Sequence, residues 1–186
     1  MQIISIAAHV NGILGVNDNL PVRSSADLKL FKMLTKGEVV VVGRKTLESL
    51  PRKLEGRYVV CLTRDKGYTH PYADAVFNDP VDLIMAFENT CKRIIVAGGA
   101  EIYNLLKDYV EANGFSIVTE HHLQPDYSSD DYITLCPSYL STPDNADVLI
   151  LAEKEFVVRI KGADAFKRRI GCDFFYSKTL GGNNEA

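Results

Sequence analysis

Residues 38–46 read Glu38-Val39-Val40-Val41-Val42-Gly43-Arg44-Lys45-Thr46. An unbroken β-branched run of this length is the signature of a strand buried on both faces, which is how strands of parallel sheets read. The glycine that closes it lets the backbone turn tightly past a ligand. Residues 44–50 then fit a short helix stopped by Pro51. The first N–H groups of a helix have no partner within it, so they suit an anion. Arg44 and Lys45 add positive charge at that corner and Thr46 adds a hydroxyl.

The same grammar recurs on both sides. Residues 3–8, 58–62 and 93–97 are short apolar runs that read as strands, residues 74–77 as a fourth, short one, and residues 115–119 as another. Between them lie helical periods. One starts near Ala26 behind Ser24 and Ser25, carries Leu28, Phe31 and Leu34, and ends at Gly37; another covers residues 81–91 after Pro80; a third runs through Tyr103, Leu106 and Val110. Strands alternating with helices predict an α/β fold with a mostly parallel sheet. Residues 155–160 and 172–179 alternate without an intervening helix, which predicts an antiparallel closing hairpin. Residues 9–24 and 124–147 are rich in Gly, Asn, Asp and Pro and read as long loops; loops of that length are commonly functional. No repeat or linker divides the chain, so residues 1–180 are expected to form a single domain and residues 181–186 a disordered tail.

Composition removes several alternatives. The chain has 186 residues, 46% hydrophobic and 24% charged, with a formal net charge of −3. That balance fits one ordinary domain and gives no global attraction to nucleic acid or to an anionic membrane. The four cysteines, Cys61, Cys91, Cys136 and Cys172, show no CxxC spacing; they read as reduced thiols, with Cys136 in a solvated polar loop. No signal peptide or membrane-length apolar run is seen, and a cytoplasmic location is expected. His121 and His122 are neighbours on one strand and point to opposite faces, so no metal site is expected.

Two further strand ends carry phosphate chemistry. Leu62-Thr63-Arg64 presents a hydroxyl and a guanidinium, and Ala97-Gly98-Gly99-Ala100 opens a helix with two glycines. Each alone is equally a solvated turn, and no GxGxxG is present. Together the three corners favour a phosphorylated cofactor. Asp27 stands in the first turn of its helix, where an acid can simply complement the macrodipole. With Leu28 and Phe31 beside it, the same carboxylate could instead hold a cationic or amidine-like group in an apolar slot.

Taken in order, Ile6-Ala7-Ala8, Ile13-Leu14-Gly15, Leu20-Pro21, Ala26-Asp27-Leu28 with Phe31, Val42 to Thr46, Glu48-Ser49-Leu50, Leu54-x-Gly56-Arg57, Ala97-Gly98-Gly99 with Glu101-Ile102-Tyr103, and Thr119 resemble the dihydrofolate reductase family. The resemblance is close through Arg64, good to about Thr119 and loose over residues 124–147. It implies an α/β, dihydrofolate reductase-like fold: an eight-stranded, mostly parallel sheet with an antiparallel C-terminal strand and flanking helices. It implies NADPH as cofactor, hydride transfer to dihydrofolate giving tetrahydrofolate, antifolates as inhibitors, and a monomer.

The resemblance also implies roles. Asp27, as the one ionisable side chain in the pocket, would grip the pterin, and Thr119 would brace it. Ile6, Ala7 and Ala97 would border the ring, the first and last through backbone carbonyls. Leu28, Phe31, Leu50 and Leu54 would wrap the p-aminobenzoyl group, and Arg57 would pair with the glutamate α-carboxylate. Ala8 and Leu14 would hold the nicotinamide. Gly43, Thr46, Gly98, Gly99, Ala100, Glu101, Ile102 and Tyr103 would surround the pyrophosphate, with a cis Gly98–Gly99 bond. Arg44, Lys45, Thr63 and Arg64 would take the adenosine end and its 2′-phosphate. The chain departs from the family at Val22 (usually Trp), Ala97 (usually Ile), Ala100 (usually Gly) and Glu101 (usually basic). The related reductase of riboflavin biosynthesis lacks the acid at Asp27 and the Leu54–Arg57 clamp, both of which stand here. A reductase-like fold kept only to bind ligand is the non-enzymatic alternative.

Overall fold

A computed structural model describes residues 1–125, 127–142, 148–152, 155–162 and 178. The central element is the apolar run at the start of the chain, β1 (Ile3–His9), which is buried along nearly its whole length. It pairs in parallel with β6 (Ile94–Val96) on one side and β7 (Gly114–His121) on the other. The valine run forms β3 (Val39–Gly43), parallel to β6 and to β4 (Tyr58–Leu62). β5 (Ala75–Phe77) completes that edge.

On the far side β10 (Phe156–Lys161) lies antiparallel to β7, and β9 (Val148–Ala152) lies antiparallel to β10. The sheet therefore has eight strands in the order β5-β4-β3-β6-β1-β7-β10-β9. Its mostly parallel character and its antiparallel strand near the C-terminal end agree with the sequence reading. The expected strand at 155–160 is β10. Its expected partner at 172–179, and the tail at 181–186, lie outside the described residues, apart from Lys178.

Helices cover both faces. α1 (Ser25–Thr35) and α2 (Arg44–Glu48) bury Leu30, Leu34 and Leu47 against Ile4, Val40, Val42 and Ile117. α3 (Pro80–Phe87), α4 (Ala100–Asn113) and α5 (Ser138–Ser141) bury Leu83, Ile102, Leu106, Val110 and Leu140 against Ile3, Val39, Val41 and Val96. α3 starts where Pro80 follows the Asp79 cap, and stops short of the expected 91. Its last turn passes into Asn89-Thr90, where Thr90 bonds back to the Phe87 carbonyl through both its N–H and its hydroxyl.

The two loops read as irregular contain a second, two-stranded sheet, β2 (Ile13–Val16) with β8 (Ile133–Leu135). Asn17 fastens it, donating from Nδ2 to Asp131 at 2.6 Å and accepting at Oδ1 from the Tyr132 N–H at 2.8 Å. Asn17 and Asp18 hold positive φ angles of 50° and 61°, a conformation in which asparagine and aspartate are enriched. Cys136, read as part of a solvated loop, is buried behind this small sheet. Its N–H bonds to the Gly12 carbonyl at 2.8 Å, and burial pushes its thiol up to about 12. Among the described residues no helix is long and apolar enough to cross a membrane.

Candidate active site

The carboxyl ends of β1, β3, β4 and β7, with the segment after β6, open into one cleft of about 2050 Å³. That exceeds the roughly 300–1,000 Å³ of a pocket for one small ligand, and the space divides into two limbs. One lies between α1 and residues 50–57, and Asp27, Leu28, Phe31, Leu50, Leu54 and Arg57 line it. The other lies over Gly43, Arg44, Lys45, Thr46, Thr63, Arg64 and the Gly98-Gly99-Ala100 corner, with Glu101, Ile102 and Tyr103 behind. Ile6, Ala7, Ala8, Leu14, Ala97 and Thr119 lie along the same cavity. Every residue singled out from the sequence is therefore brought to one cavity, although they come from separate elements.

The phosphate-friendly limb is built from glycines placed where a side chain would intrude. A Cβ on Gly43 would sit 2.9 Å from Ile102 Cγ1, and one on Gly99 would sit 3.3 Å from Thr46 Oγ1. The Gly43 N–H donates to the Gly98 carbonyl at 2.8 Å, tying the β3 and β6 corners together. The Gly98–Gly99 peptide is cis, as the resemblance implied. α4 begins at Ala100 with Gly99 as a cap that makes no side-chain hydrogen bond; the Ile102 and Tyr103 N–H groups donate to the Gly99 carbonyl, and Ala100 and Glu101 border the cavity. The guanidinium of Arg44 is half-exposed and 3.8 Å from Glu48 across one helical turn, a weak surface pairing that a phosphate can displace. Lys45 Nζ stands 5.7 Å from the centre of the Tyr132 ring. Tyr132, on the far loop, thus borders this limb, a placement for which the local sequence carries no signal.

In the other limb, Ser24 caps α1, and its hydroxyl oxygen accepts from the Asp27 N–H at 3.2 Å while donating to Glu155 Oε2 at 2.9 Å. This fixes the turn that points Asp27 inward, leaving its side chain only 14% exposed. Arg57 is anchored by donating to Thr35 Oγ1 at 3.2 Å and to the Glu55 carbonyl at 3.1 Å; burial lowers its pKa, with Glu55 opposing.

Three placements differ from the sequence reading. Thr119 shares the wall with Asp27, but no hydrogen bond joins them. The Ile6 carbonyl already accepts from the buried Tyr103 hydroxyl at 2.7 Å, a partner absent from the sequence reading, and keeps a second lone pair for a ligand. Finally, Asp27 is not the one ionisable group there: His121 Nε2 lies 3.8 Å from Asp27 Oδ2, and Glu155 lines the cleft. The histidine comes close because the β7 register sets it behind α1, a long-range fact that no local pattern encodes.

The family model for dihydrofolate reductase matches residues 1–134. The chain belongs to the dihydrofolate reductase family. Among curated relatives, it is 42% identical over 108 residues to dihydrofolate reductase type 8 of Escherichia coli, covering 54% of this chain and 64% of that protein. It is 34% identical over 115 residues to type A13 of Escherichia coli, covering 62% and 68% respectively. The chain thus spans 64% of the first of these relatives. Among solved structures, dihydrofolate reductase from Enterococcus faecalis, complexed with NADP(H) and RAB-propyl, superposes with a TM-score of 0.68 at 20% identity, covering 88% of this chain and 97% of that one. That likeness is one of fold, over a larger share of the chain than the family model matches.

Proposed function

We propose that this chain reduces 7,8-dihydrofolate to 5,6,7,8-tetrahydrofolate with NADPH. The observation that carries the reading is a mostly buried carboxylate, Asp27, facing an apolar slot that opens directly onto a glycine-walled, cation-rimmed second limb.

The residues of the second limb fit a dinucleotide phosphate. Glycines at 43 and 99 leave the room that a Cβ would fill, the capless start of α4 offers N–H donors, and Thr46 adds a hydroxyl. Arg44, Lys45, Thr63 and Arg64 at the rim would hold the adenosine end, and two guanidiniums favour NADPH over NADH because of its extra phosphate. Ala8 and Leu14 would border the nicotinamide where the limbs meet. NADPH, when bound, supplies the hydride that passes to C6 of the pterin.

The protein's own share is binding, alignment and charge. Asp27 would hold the N3 and 2-amino side of the pterin, where a carboxylate takes two hydrogen bonds. Its negative charge, little screened in a mostly buried position, favours protonation of the pterin at N5, and a protonated C6=N5 bond accepts hydride more readily. Leu28, Phe31, Leu50 and Leu54 would pack along the p-aminobenzoyl group, with Arg57 against the glutamate α-carboxylate. The β2–β8 pair, fastened by Asn17, Asp131 and Tyr132, lines the cleft through Leu14, Gly15 and Thr134 and would close over the nicotinamide to exclude water. On this reading the enzyme works as a cytoplasmic monomer, and antifolates compete for the Asp27 limb.

The test follows the absorbance of reduced nicotinamide with and without dihydrofolate. Oxidation that requires dihydrofolate supports the proposal; binding of NADPH with no turnover overturns it in favour of a binding module.

A further inference from the structure

Along β7, Ile117, Thr119 and His121 face α1 and the cleft, while Val118 packs on the opposite side of the sheet. His121 is the last of these residues, a polar side chain only 2% exposed that lies beside Asp27. Its ring packs on Phe156 at 5.3 Å between centres, and its Nδ1 is buried with no hydrogen-bond partner among the described residues. Packing alone does not account for an imidazole here. An aliphatic side chain would cover Phe156 equally well and would leave no buried nitrogen orphaned. The feature that calls for a nitrogen is the carboxylate 3.8 Å from Nε2.

We propose that His121 is a positioning residue that acts through Asp27: the imidazole charges with pH and competes with the bound ring for the same carboxylate. When His121 carries two protons, Asp27 has a cationic partner behind it. When His121 is neutral, the full charge of Asp27 faces the slot. A pterin or diaminopyrimidine cation arriving at Asp27 therefore disfavours the histidinium, and its binding is coupled to release of a proton from His121.

The other titratable groups around His121 do not substitute for this pairing. Glu155, at the entry to β10, is engaged by the Ser24 hydroxyl, and its backbone carbonyl accepts from the His122 N–H. On the opposite face of the sheet, Glu120 pairs with Arg159 of β10 at 3.2 Å, and Lys161 donates to the Leu140 and Thr142 carbonyls. His9 of β1 accepts from the Gly12 N–H at Nδ1, and burial keeps its pKa low. Among the described residues, Asp27 is the carboxylate placed against His121 Nε2.

The inference rests on the reductase reading of the cleft, so its test has one arm that needs no turnover. The ring-proton resonances of His121 are followed by NMR against pH in the unmutated chain and in Asp27→Asn, with His121→Gln used for assignment. Coupling requires the His121 curve to move to lower pH in Asp27→Asn, because the amide no longer favours the charged ring. Superimposable curves overturn the proposal whatever the catalytic activity. In the second arm, kcat/KM for dihydrofolate is compared at about pH 6 and about pH 8. The ratio of acid to alkaline values should rise about fivefold or more in His121→Gln, because a charge pair at this spacing is worth that much even in bulk water and more where it is mostly buried. An unchanged ratio in a folded variant also overturns it. If the unmutated chain shows no turnover, the reductase reading fails, and the NMR arm still decides the coupling.

Discussion

Replacing Gly43 by alanine tests the geometry of the cofactor limb at one atom. Gly43 has φ −77°, so alanine meets no backbone penalty there, and any cost comes from the added methyl. That methyl would lie 2.9 Å from Ile102 Cγ1, 3.4 Å from Ile102 Cδ1 and 3.9 Å from the Gly98 carbonyl oxygen. Ile102 is 7% exposed and sits in the core beneath α4, so it has little room to retreat without moving the first turn of that helix. Overpacking of this kind costs about 1–3 kcal/mol. Relief should come from Ile102→Ala, which alone costs about 2–5 kcal/mol by leaving a cavity. In denaturant unfolding, the double variant should be less destabilised than the sum of the two single variants, by about 1–3 kcal/mol. Because the push lands on Ile102 in the first turn of α4, which follows the Gly98-Gly99 corner, the KM for NADPH should rise in Gly43→Ala while the KM for dihydrofolate changes little. Strict additivity, or a Gly43→Ala variant with unchanged stability and cofactor affinity, would refute the tight contact between the end of β3 and Ile102 of α4.

Three further outcomes are expected. Arg44→Ala and Arg64→Ala should each raise the KM for NADPH about tenfold, the size of a lost charge-assisted hydrogen bond, and leave the KM for NADH nearly unchanged; steady-state kinetics with both cofactors checks this, and equal weakening would remove the 2′-phosphate from the assignment. Ser24→Ala should cost about 1 kcal/mol in unfolding free energy, because the α1 cap is lost, and should lower kcat as Asp27 loosens; a neutral substitution would show that the cap does not hold the acid. Glu38 feels burial first, which raises its pKa, but the Arg93 N–H, Lys178 and the Arg93 charge together outweigh it and hold the carboxyl below the ordinary range. Its contribution is therefore full above the unfolded-state pKa of about 4.3 and is lost as pH falls through the lower folded value. Glu38→Gln should be less stable than the unmutated chain near neutrality and converge with it in acid, and parallel stability curves would show that Glu38 contributes no such linkage.

What was legible in the sequence was what neighbours along the chain decide. Val39 to Val42 and Tyr58 to Leu62 are continuous apolar runs, and they form buried parallel strands. Ser24 three residues before Asp27 marks a cap, and the hydroxyl accepts from that N–H. The glycine corners at 43 and 98–99 were recognisable because each follows a strand. The ordered set of motifs then gathered them into one cleft, which elementary periodicity could not do. The features that escaped depend on pairing across the chain. Ile13 and Leu135 become strand partners only because the two loops meet, and isolated from each other both stretches read as turns. Cys136 looks exposed in a polar context and is buried by the same meeting. β9 (Val148–Ala152) is an apolar run whose role is set by β10 beside it. In the sequence His121 stands out only beside His122, as a pair that cannot share a metal, and its actual neighbour, Asp27, is supplied by how α1 packs across β7.

The central claim is that Asp27 presents a carboxylate to the reacting pterin, and the rate of Asp27→Asn as a function of pH tests it most directly. The amide preserves shape and removes the charge, so kcat at neutral pH should fall by about a hundredfold or more and recover in part on acidification, as dihydrofolate becomes protonated without the protein's help. A variant that turns over at the unmutated rate near neutrality, with the same pH profile, would contradict the account.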